Sequence, residues 1–549
     1  MVIRFSILIV CLALAYSFLL FHLYDLAIVN GDYYLGRAGS EYLSQNLLNA
    51  NRGSVYFKDK DGNLLPAVLN KDFPVIYSVP KEIDDSSEAA NVLTPLLKKS
   101  VEELKSIFSK SNDLYEVLVK KANASLVQEV ADLKIKGIYV DKEAGRFYPM
   151  ETLASQALGF VGPTAESALD AGHYGLEEFY NKELSGVSGS IAGSKIVKPV
   201  PGEDLVLTLD PNIQIEAERI LDNLVKTYSA SGGSVIVEDP QTGRILAMGS
   251  YPNFDPNKYS QFPVASFLNP VTQQIYEPGS VFKVITMAAG IDSGKITPET
   301  TYYDTGTLTL NGRTISNYDL KKNGPYGKAT MTNVIEHSIN TGAVFAERQI
   351  GREIFTKYLN NFGFSEKTGI DLPGELRGDL RRLSPKEKDI AFATASYGQG
   401  VAVTPIELIT AVAAIANGGN LMRPYLNANL EPKVIRKVIS DSAAREVIRM
   451  MVSAVDKAVI AKIDGFTIAG KTGTAFVPDF KRGGYTDNVI NTYVGFGPAT
   501  NPKFIALIKL NEPRGAPVAG LSVVPAFRDL AQFILNYENI PPDRLENRN

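Results

Sequence analysis

Residues 276 to 290 read Tyr276-Glu277-Pro278-Gly279-Ser280-Val281-Phe282-Lys283-Val284-Ile285-Thr286-Met287-Ala288-Ala289-Gly290. Pro278-Gly279 is a helix-start signal, and the apolar run after Lys283 has no polar face, which predicts a buried helix. Ser280 then stands at the amino end of that helix, where unpaired N–H groups and the helix dipole favour a developing oxyanion. Serine and lysine three apart meet across one turn, so a lysine amine whose pKa is lowered by burial can accept the hydroxyl proton. A second Ser-x-x-Lys, Ser78-Val79-Pro80-Lys81, lies in an extended, proline-interrupted segment where i and i+3 do not face each other. Composition alone yields roughly two such quartets in a chain of this size, so the spacing by itself does not make Ser280 a nucleophile.

The rest of the composition explains why a lysine base is the one to look for. The only cysteine of the 549 residues, Cys11, lies in an apolar run, which removes internal disulfides, cysteine metal clusters and a catalytic thiolate in a folded domain. Three histidines, His22, His173 and His337, serve the whole chain, and a three-histidine zinc site would need all of them. With 56 Lys+Arg against 60 Asp+Glu the net charge is -4, so no global basic field exists to hold nucleic acid. Chemistry here falls to Ser, Thr, Lys, Tyr, Asn or carboxylates.

Two further motifs follow Ser280. Ser338-Ile339-Asn340 presents a hydroxyl and an amide on alternate residues of one face. The same spacing in Ser44-Gln45-Asn46 shows how common it is, and His337 beside Ser338 reads as a packing or surface residue rather than half of a dyad. Lys471-Thr472-Gly473-Thr474 lies between runs that look like a strand edge, offering backbone N–H groups, a cation and two hydroxyls to a carboxylate, with Gly473 allowing close approach. A decoy, Lys367-Thr368-Gly369, reads as a loop between helices.

Around these motifs the chain alternates strands (Gly233 to Val237, Ile245 to Met248) with helices (Phe282 to Gly290, Ile406 to Asn417) and ends in paired strands at Asn491 to Phe496 and Phe504 to Leu510. This is α/β or α+β material. Before it, a region to about residue 200 has extended stretches at Gly53 to Phe57 and Phe73 to Val79. A helix there opens with the capping box of Ser100 and Glu103, and a second is expected over Asp113 to Leu133. Lys198-Pro199-Val200-Pro201-Gly202 marks a domain boundary. From Phe5 to Tyr24 there is no Asp, Glu, Lys or Arg over 20 residues, enough for one membrane crossing, and Arg4 keeps the short amino end cytoplasmic. A cleaved signal peptide ending at Ala13-Leu14-Ala15 is the competing reading, but the apolar run continues past it. The tail from Pro541 to Asn549 is expected to be loose.

The serine-lysine, serine-asparagine and lysine-threonine-glycine set, in this order, is a known signature of penicillin-binding proteins and β-lactamases. Over nearly its whole length the chain resembles the class B penicillin-binding proteins, peptidoglycan transpeptidases anchored in the bacterial cytoplasmic membrane. Arg52-Gly53 with Asp61-Gly62, Arg146-Phe147-Tyr148-Pro149, and Gly175-Leu176-Glu177 with Tyr180 resemble the family's amino-terminal pedestal motifs. Glu277-Pro278-Gly279-Ser280, Tyr397-Gly398-Gln399-Gly400 with Thr404-Pro405, and Gly495-Phe496 with Pro498 resemble its catalytic motifs. Lys60, where arginine is commoner, and Phe476, where glutamine is commoner, are departures that leave the chemistry intact.

The resemblance implies a penicillin-binding, serine β-lactamase-like transpeptidase domain over 201–540. It also implies an elongated α+β pedestal or dimerisation domain over 25–200, a cytoplasmic end at 1–4, one transmembrane helix over 5–24 and a flexible tail at 541–549. It implies that Ser280 attacks the penultimate D-alanine of a stem peptide, with Lys283 as base and Ser338 and Lys471 relaying the proton to the leaving amine. Asn340 would hold the donor peptide. The backbone N–H groups of Ser280 and Thr474 would form the oxyanion hole, and the Thr472 and Thr474 hydroxyls, with Gly473 permitting approach, would meet the terminal carboxylate. No metal or cofactor is implied. Expected partners are peptidoglycan stem peptides, β-lactams as covalent inhibitors, the membrane, division or elongation proteins and, because no glycosyltransferase module is evident, a polytopic membrane glycosyltransferase. Two rival readings share the motifs: a β-lactam-hydrolysing or β-lactam-sensing membrane protein, and a non-catalytic scaffold with a vestigial serine. Thr472 leans toward the division rather than the elongation type.

Overall fold

The structure, a computed structural model, describes residues 2–24, 50–110, 113, 115–164, 170–192, 195–479 and 481–544. A helix covers Val2–Tyr24, where the anchor is expected. The side chains of residues 2 to 11 and all of residues 25 to 49, including Ser44-Gln45-Asn46, lie outside the described residues. Among the described residues no helix is long and apolar enough to cross a membrane.

The chain forms two compact units, each assembled from separated segments: Met1–Ser54, Val68–Phe147 and Lys182–Asp204 in the first; Val55–Ala67, Tyr148–Asn181 and Leu205–Asn549 in the second. The boundary expected after residue 200 falls close to the chain's last passage between them. In the first unit the part of strand β1 (Leu64–Ser78) from Val68 onward pairs antiparallel from Leu69 to Ser78 with β3 (Ile138–Phe147) and carries the short β2 (Glu116–Val119) on its other side. Helices α1 (Ser86–Leu97), α2 (Val101–Phe108) and α3 (Ala124–Asp132) close over one core of Ile76, Leu93, Leu104, Phe108, Leu118 and Val130. Ser100 caps α2 by accepting the Glu103 amide at 3.1 Å.

The helix expected over Asp113 to Leu133 is in fact a strand followed by a shorter helix. Val117 and Val119 alternate on a strand, Lys121 takes a left-handed φ of 53°, and Asn123 starts α3 afresh by accepting the Leu126 amide. The pedestal motif arginines meet at Asn70 in this unit: Arg146 Nη1 donates to Asn70 Oδ1 at 3.0 Å, and Asn70 Nδ2 donates to the Arg52 carbonyl. Gly53 is needed because a Cβ there would stand 1.9 Å from the Glu203 carbonyl oxygen.

The second unit is built on a five-stranded antiparallel sheet. Its strands are β4 (Gly232–Glu238), β5 (Ile245–Tyr251), β6 (Ala469–Pro478), β7 (Tyr485–Gly497) and β8 (Phe504–Asn511), in the order β5-β4-β8-β7-β6. Strand alternation puts Val235, Val237, Ala506, Ile508 and Leu510 on one face, packed with helices α4 (Pro211–Tyr228) and α9 (Val523–Tyr537). On the other face lie α5 (Lys283–Asp292), buried from Lys283 through Gly290, and α8 (Pro405–Ala416), buried at every position and capped by Thr404 with Glu407. Strand β6 is the edge strand beside the turn that precedes α5. The tail is held as far as Arg544, since Asp543 accepts the Thr467 amide and Arg544 pairs with Asp456; residues 545 to 549 lie outside the described residues.

The sheet also buries a carboxyl group. Glu238 is 0% exposed, with neither oxygen hydrogen-bonded among the described residues, and burial next to the Asp239 carboxylate pushes its pKa up to about 8. The folded chain therefore keeps a proton that the unfolded chain loses near 4.5. Stability is full below that value, falls by about 1.4 kcal/mol per pH unit as pH rises toward the folded pKa, and levels above it. Glu218, Glu347 and Glu407, each raised to about 7 by burial, act in the same direction, so urea unfolding of the full chain between pH 5 and 8 is expected to show stability falling with pH and Glu238→Gln to make that fall shallower; an unchanged slope in the variant would refute the assignment.

Candidate active site

The nucleophile candidate sits in a one-turn 3-10 helix, Gly279–Phe282, which runs directly into α5. Gly279 makes this turn at φ 57°, and its amide donates to the Gly398 carbonyl at 3.1 Å. Gly398, at φ 79°, lies so close that a Cβ there would stand 2.2 Å from the Gly279 carbonyl oxygen. Glu277 ties the turn to two other segments: Oε1 accepts the Gly400 amide at 2.9 Å and Oε2 accepts the Tyr485 hydroxyl at 2.9 Å. Desolvation nevertheless raises the Glu277 pKa.

Lys283 is wholly buried, and its Nζ stands 3.0 Å from Ser280 Oγ, 3.1 Å from Ser338 Oγ and 2.5 Å from the Ser338 carbonyl oxygen. Ser338 lies in the turn between α6 (Met331–Glu336) and α7 (Asn340–Ile350), at a left-handed φ of 56° that aims its hydroxyl between two amines. The second amine is Lys471, 4% exposed on β6, with Nζ 3.0 Å from Ser338 Oγ and 3.1 Å from the Thr472 carbonyl oxygen. Ser280, Lys283, Ser338 and Lys471 thus form one continuous hydrogen-bonded chain. Lys283 is held well below the usual lysine range by burial and then by the Lys471 cation, with the Asp319 carboxylate opposing. Burial lowers Lys471 to about 7. Burial disfavours a charge on either amine, and two ammonium groups at one hydroxyl would repel each other.

Ser280, Ser338, Asn340, Lys471, Thr472 and Thr474 all line one cavity of about 570 Å³. Gly473 admits the nucleophile turn to the strand: a Cβ there would stand 2.6 Å from the Pro278 carbonyl oxygen. Two of the expected groups are already engaged. Asn340, the first residue of α7 and not a strand position, donates Nδ2 to the Ser316 carbonyl at 2.9 Å. The Thr474 hydroxyl donates to Asn491 Oδ1 at 3.3 Å and accepts the Ala519 amide at 3.1 Å, which leaves Thr472 as the hydroxyl beside Lys471.

The decoys stand apart. Ser78 ends β1 with its hydroxyl on the Glu116 carbonyl, and Lys81 lies in the following 3-10 turn. The Thr368 hydroxyl and amide are taken by Glu375. His337 is exposed and stacks on Tyr326 at 4.9 Å. Sequence reasoning missed Asp319, Tyr485 and Lys509. Lys509, wholly buried and lowered to about 7, donates to Gln274 and lies over the Tyr276 ring at 4.8 Å, behind the nucleophile turn. None of the three belongs to a recurring spacing, and only the alternation of β8 could have flagged Lys509 as a cation on an inward position.

A serine hydroxyl bonded to a buried lysine of depressed pKa on its own turn, with a second buried lysine on the facing edge strand, is an arrangement suited to serine acyl transfer. Residues 233–532 match the penicillin binding protein transpeptidase domain, and residues 47–207 the penicillin-binding protein dimerisation domain. The chain belongs to the penicillin-binding protein transpeptidase family. It is 32% identical to the stage V sporulation protein D of Bacillus subtilis over 83% of this chain and 74% of that protein. It is 27% identical to the peptidoglycan D,D-transpeptidase FtsI of Escherichia coli over 99% and 93%. Penicillin binding protein 3 of Mycobacterium tuberculosis, solved with aztreonam, shares the fold at a TM-score of 0.70 with 24% identity, covering 91% of this chain and 98% of that one.

The close approach at Gly473 carries a prediction. Gly473→Ala must push β6 away from the nucleophile turn, so the second-order rate of acylation by a fluorescent penicillin is expected to fall at least about tenfold with little change in thermal midpoint. A wild-type rate would show that the approach is not needed.

Proposed function

We propose that Ser280 is the nucleophile of a peptidoglycan D,D-transpeptidase, with Lys283, Ser338 and Lys471 as its proton-handling partners. The observation that supports this most directly is the unbroken chain from Ser280 through Lys283 and Ser338 to Lys471. Neutral Lys283 takes the Ser280 proton as Oγ attacks the carbonyl of the penultimate D-alanine. The oxyanion is stabilised by the backbone N–H groups of Ser280 and Thr474 at the start of the buried helix and the strand edge. The proton passes through Ser338, beside the Lys471 cation, to the leaving D-alanine nitrogen. Asn340 holds the donor peptide, and Thr472, with Gly473 and Thr474 beside it, receives the terminal carboxylate. An amine of a neighbouring stem peptide then resolves the ester, cross-linking two strands. A β-lactam acylates the same oxygen.

The domain reading is a pedestal or dimerisation domain over 25–200 and a transpeptidase domain over 201–540, and the family matches over 47–207 and 233–532 support that order. The 20-residue uncharged run from Phe5 to Tyr24, within a helix and preceded by Arg4, supports a single-pass anchor in the bacterial cytoplasmic membrane with the catalytic domain outside. The chain's partner for strand polymerisation is a polytopic membrane glycosyltransferase that binds the anchor and pedestal.

Ser280→Ala is expected to abolish covalent labelling by a fluorescent penicillin and Ser78→Ala to keep it; the reverse pattern would overturn the assignment. Co-purification with the glycosyltransferase is expected to be lost when residues 1 to 200 are removed, and its survival would refute the proposed contact.

A further inference from the structure

The cavity holding Ser280 is lined by two carboxylates, Asp319 and Glu336. Glu336 is committed: it accepts from Ser453 Oγ and Asn333 Nδ2 and pairs with Lys457 Nζ at 2.5 Å. Asp319 is different. Its Oδ2 accepts Asn323 Nδ2 at 2.7 Å and the Tyr326 hydroxyl, while Oδ1 has no partner among the described residues. The carboxylate forms no ion pair there, although its charge is felt at Lys283 Nζ.

The segment that presents Asp319 is fixed from below. Asn340 Nδ2 donates to the Ser316 carbonyl at 2.9 Å, and Asn317 donates to the buried Asp304 carboxylate at 3.0 Å while its Oδ1 accepts the Thr341 amide at 3.1 Å. A half-buried carboxylate on the cavity wall, held by two neutral donors and with one oxygen unpartnered among the described residues, is prepared for a cation. The donor peptide supplies none at the scissile end, which is an amide followed by a carboxylate. The acceptor does, because a primary amine arrives in water as an ammonium.

We propose that Asp319 is the acceptor subsite: its Oδ1 binds the primary ammonium of the second stem peptide. This rests on the reading of Ser280 as the acylated residue. The ammonium gives one proton to neutral Lys283, and the freed nitrogen lone pair attacks the ester carbonyl. The C–N bond forms, the C–Oγ bond breaks, and the second nitrogen proton ends on Ser280 Oγ, leaving an amide, a free serine and a protonated Lys283 that must release its proton before the next cycle. Asp319 supplies charge and position and takes no proton.

The test partitions one acyl-enzyme between a cationic and a neutral nucleophile. Full-length protein is acylated with an Nα-acyl peptide ending in D-Ala-D-Ala, and the acyl group is captured by glycinamide or by methanol in the same reaction. Asp319→Asn is expected to lower the ratio of amide to methyl ester at least about tenfold, because only the cationic acceptor loses its counter-charge. Asp319→Glu is expected to recover part of it. An unchanged ratio in Asp319→Asn overturns the proposal, as does a folded Asp319→Asn protein that no longer forms the acyl-enzyme, since Asp319 would then act in the first half-reaction. Labelling that persists in Ser280→Ala would instead sink the reading of Ser280, so the two failures are told apart.

Discussion

Two buried lysine amines share one serine hydroxyl. Lys283 and Lys471 both lie within 3.1 Å of Ser338 Oγ, and both are buried. Placing two cations there would cost several kcal/mol in desolvation and mutual repulsion, so both amines are pushed below the usual lysine range. That constraint is what the proposed mechanism uses: the burial that penalises a charged Lys283 favours its neutral form beside Ser280.

The fold serves that constraint by bringing backbone very close to backbone. Gly398 meets Gly279, and Gly473 meets Pro278, at separations that no side chain could occupy. These contacts clamp the 3-10 turn between the 397–400 loop and the edge strand, with Glu277 bonding the Gly400 amide and the Tyr485 hydroxyl across them. A strand edge is ordinarily a liability because its polar groups lack a partner. Here the nucleophile turn and the reaction cavity lie against it, so the exposed backbone becomes part of a binding surface.

The three motif stretches were legible as chemistry because each pairs residue types with a spacing that has a local meaning. Ser280 and Lys283 lie on one turn, and Gly473 sits in a strand between Lys471 and Thr474. Their context also separated them from decoys: Pro80 spoils Ser78-x-x-Lys81, and a loop carries Lys367-Thr368-Gly369. Where local meaning was ambiguous, the reading slipped. Val117 and Val119 pair in a sheet that the helical period over 113–133 did not reveal, and Ser338-Ile339-Asn340 is a turn into a helix rather than a strand face. The described end of the tail is pinned by Asp543 and Arg544, whose partners, Thr467 and Asp456, are 76 and 88 residues away.

Sequence alone narrowed the residue types open to chemistry, since one cysteine and three histidines leave mainly Ser, Thr, Lys, Tyr, Asn and carboxylates, and it placed the serine at the head of a buried helix. Tertiary structure decided that both amines are depressed, because the desolvation of Lys283 and Lys471, and their repulsion, exist only when residues 188 positions apart are brought to one oxygen. It also decided which hydroxyls and carboxylates are spent inside the protein and which face the cavity, distinguishing Thr472 from Thr474 and Asp319 from Glu336. Hydrogen-bond saturation depends on neighbours in space, and no spacing along the chain encodes it.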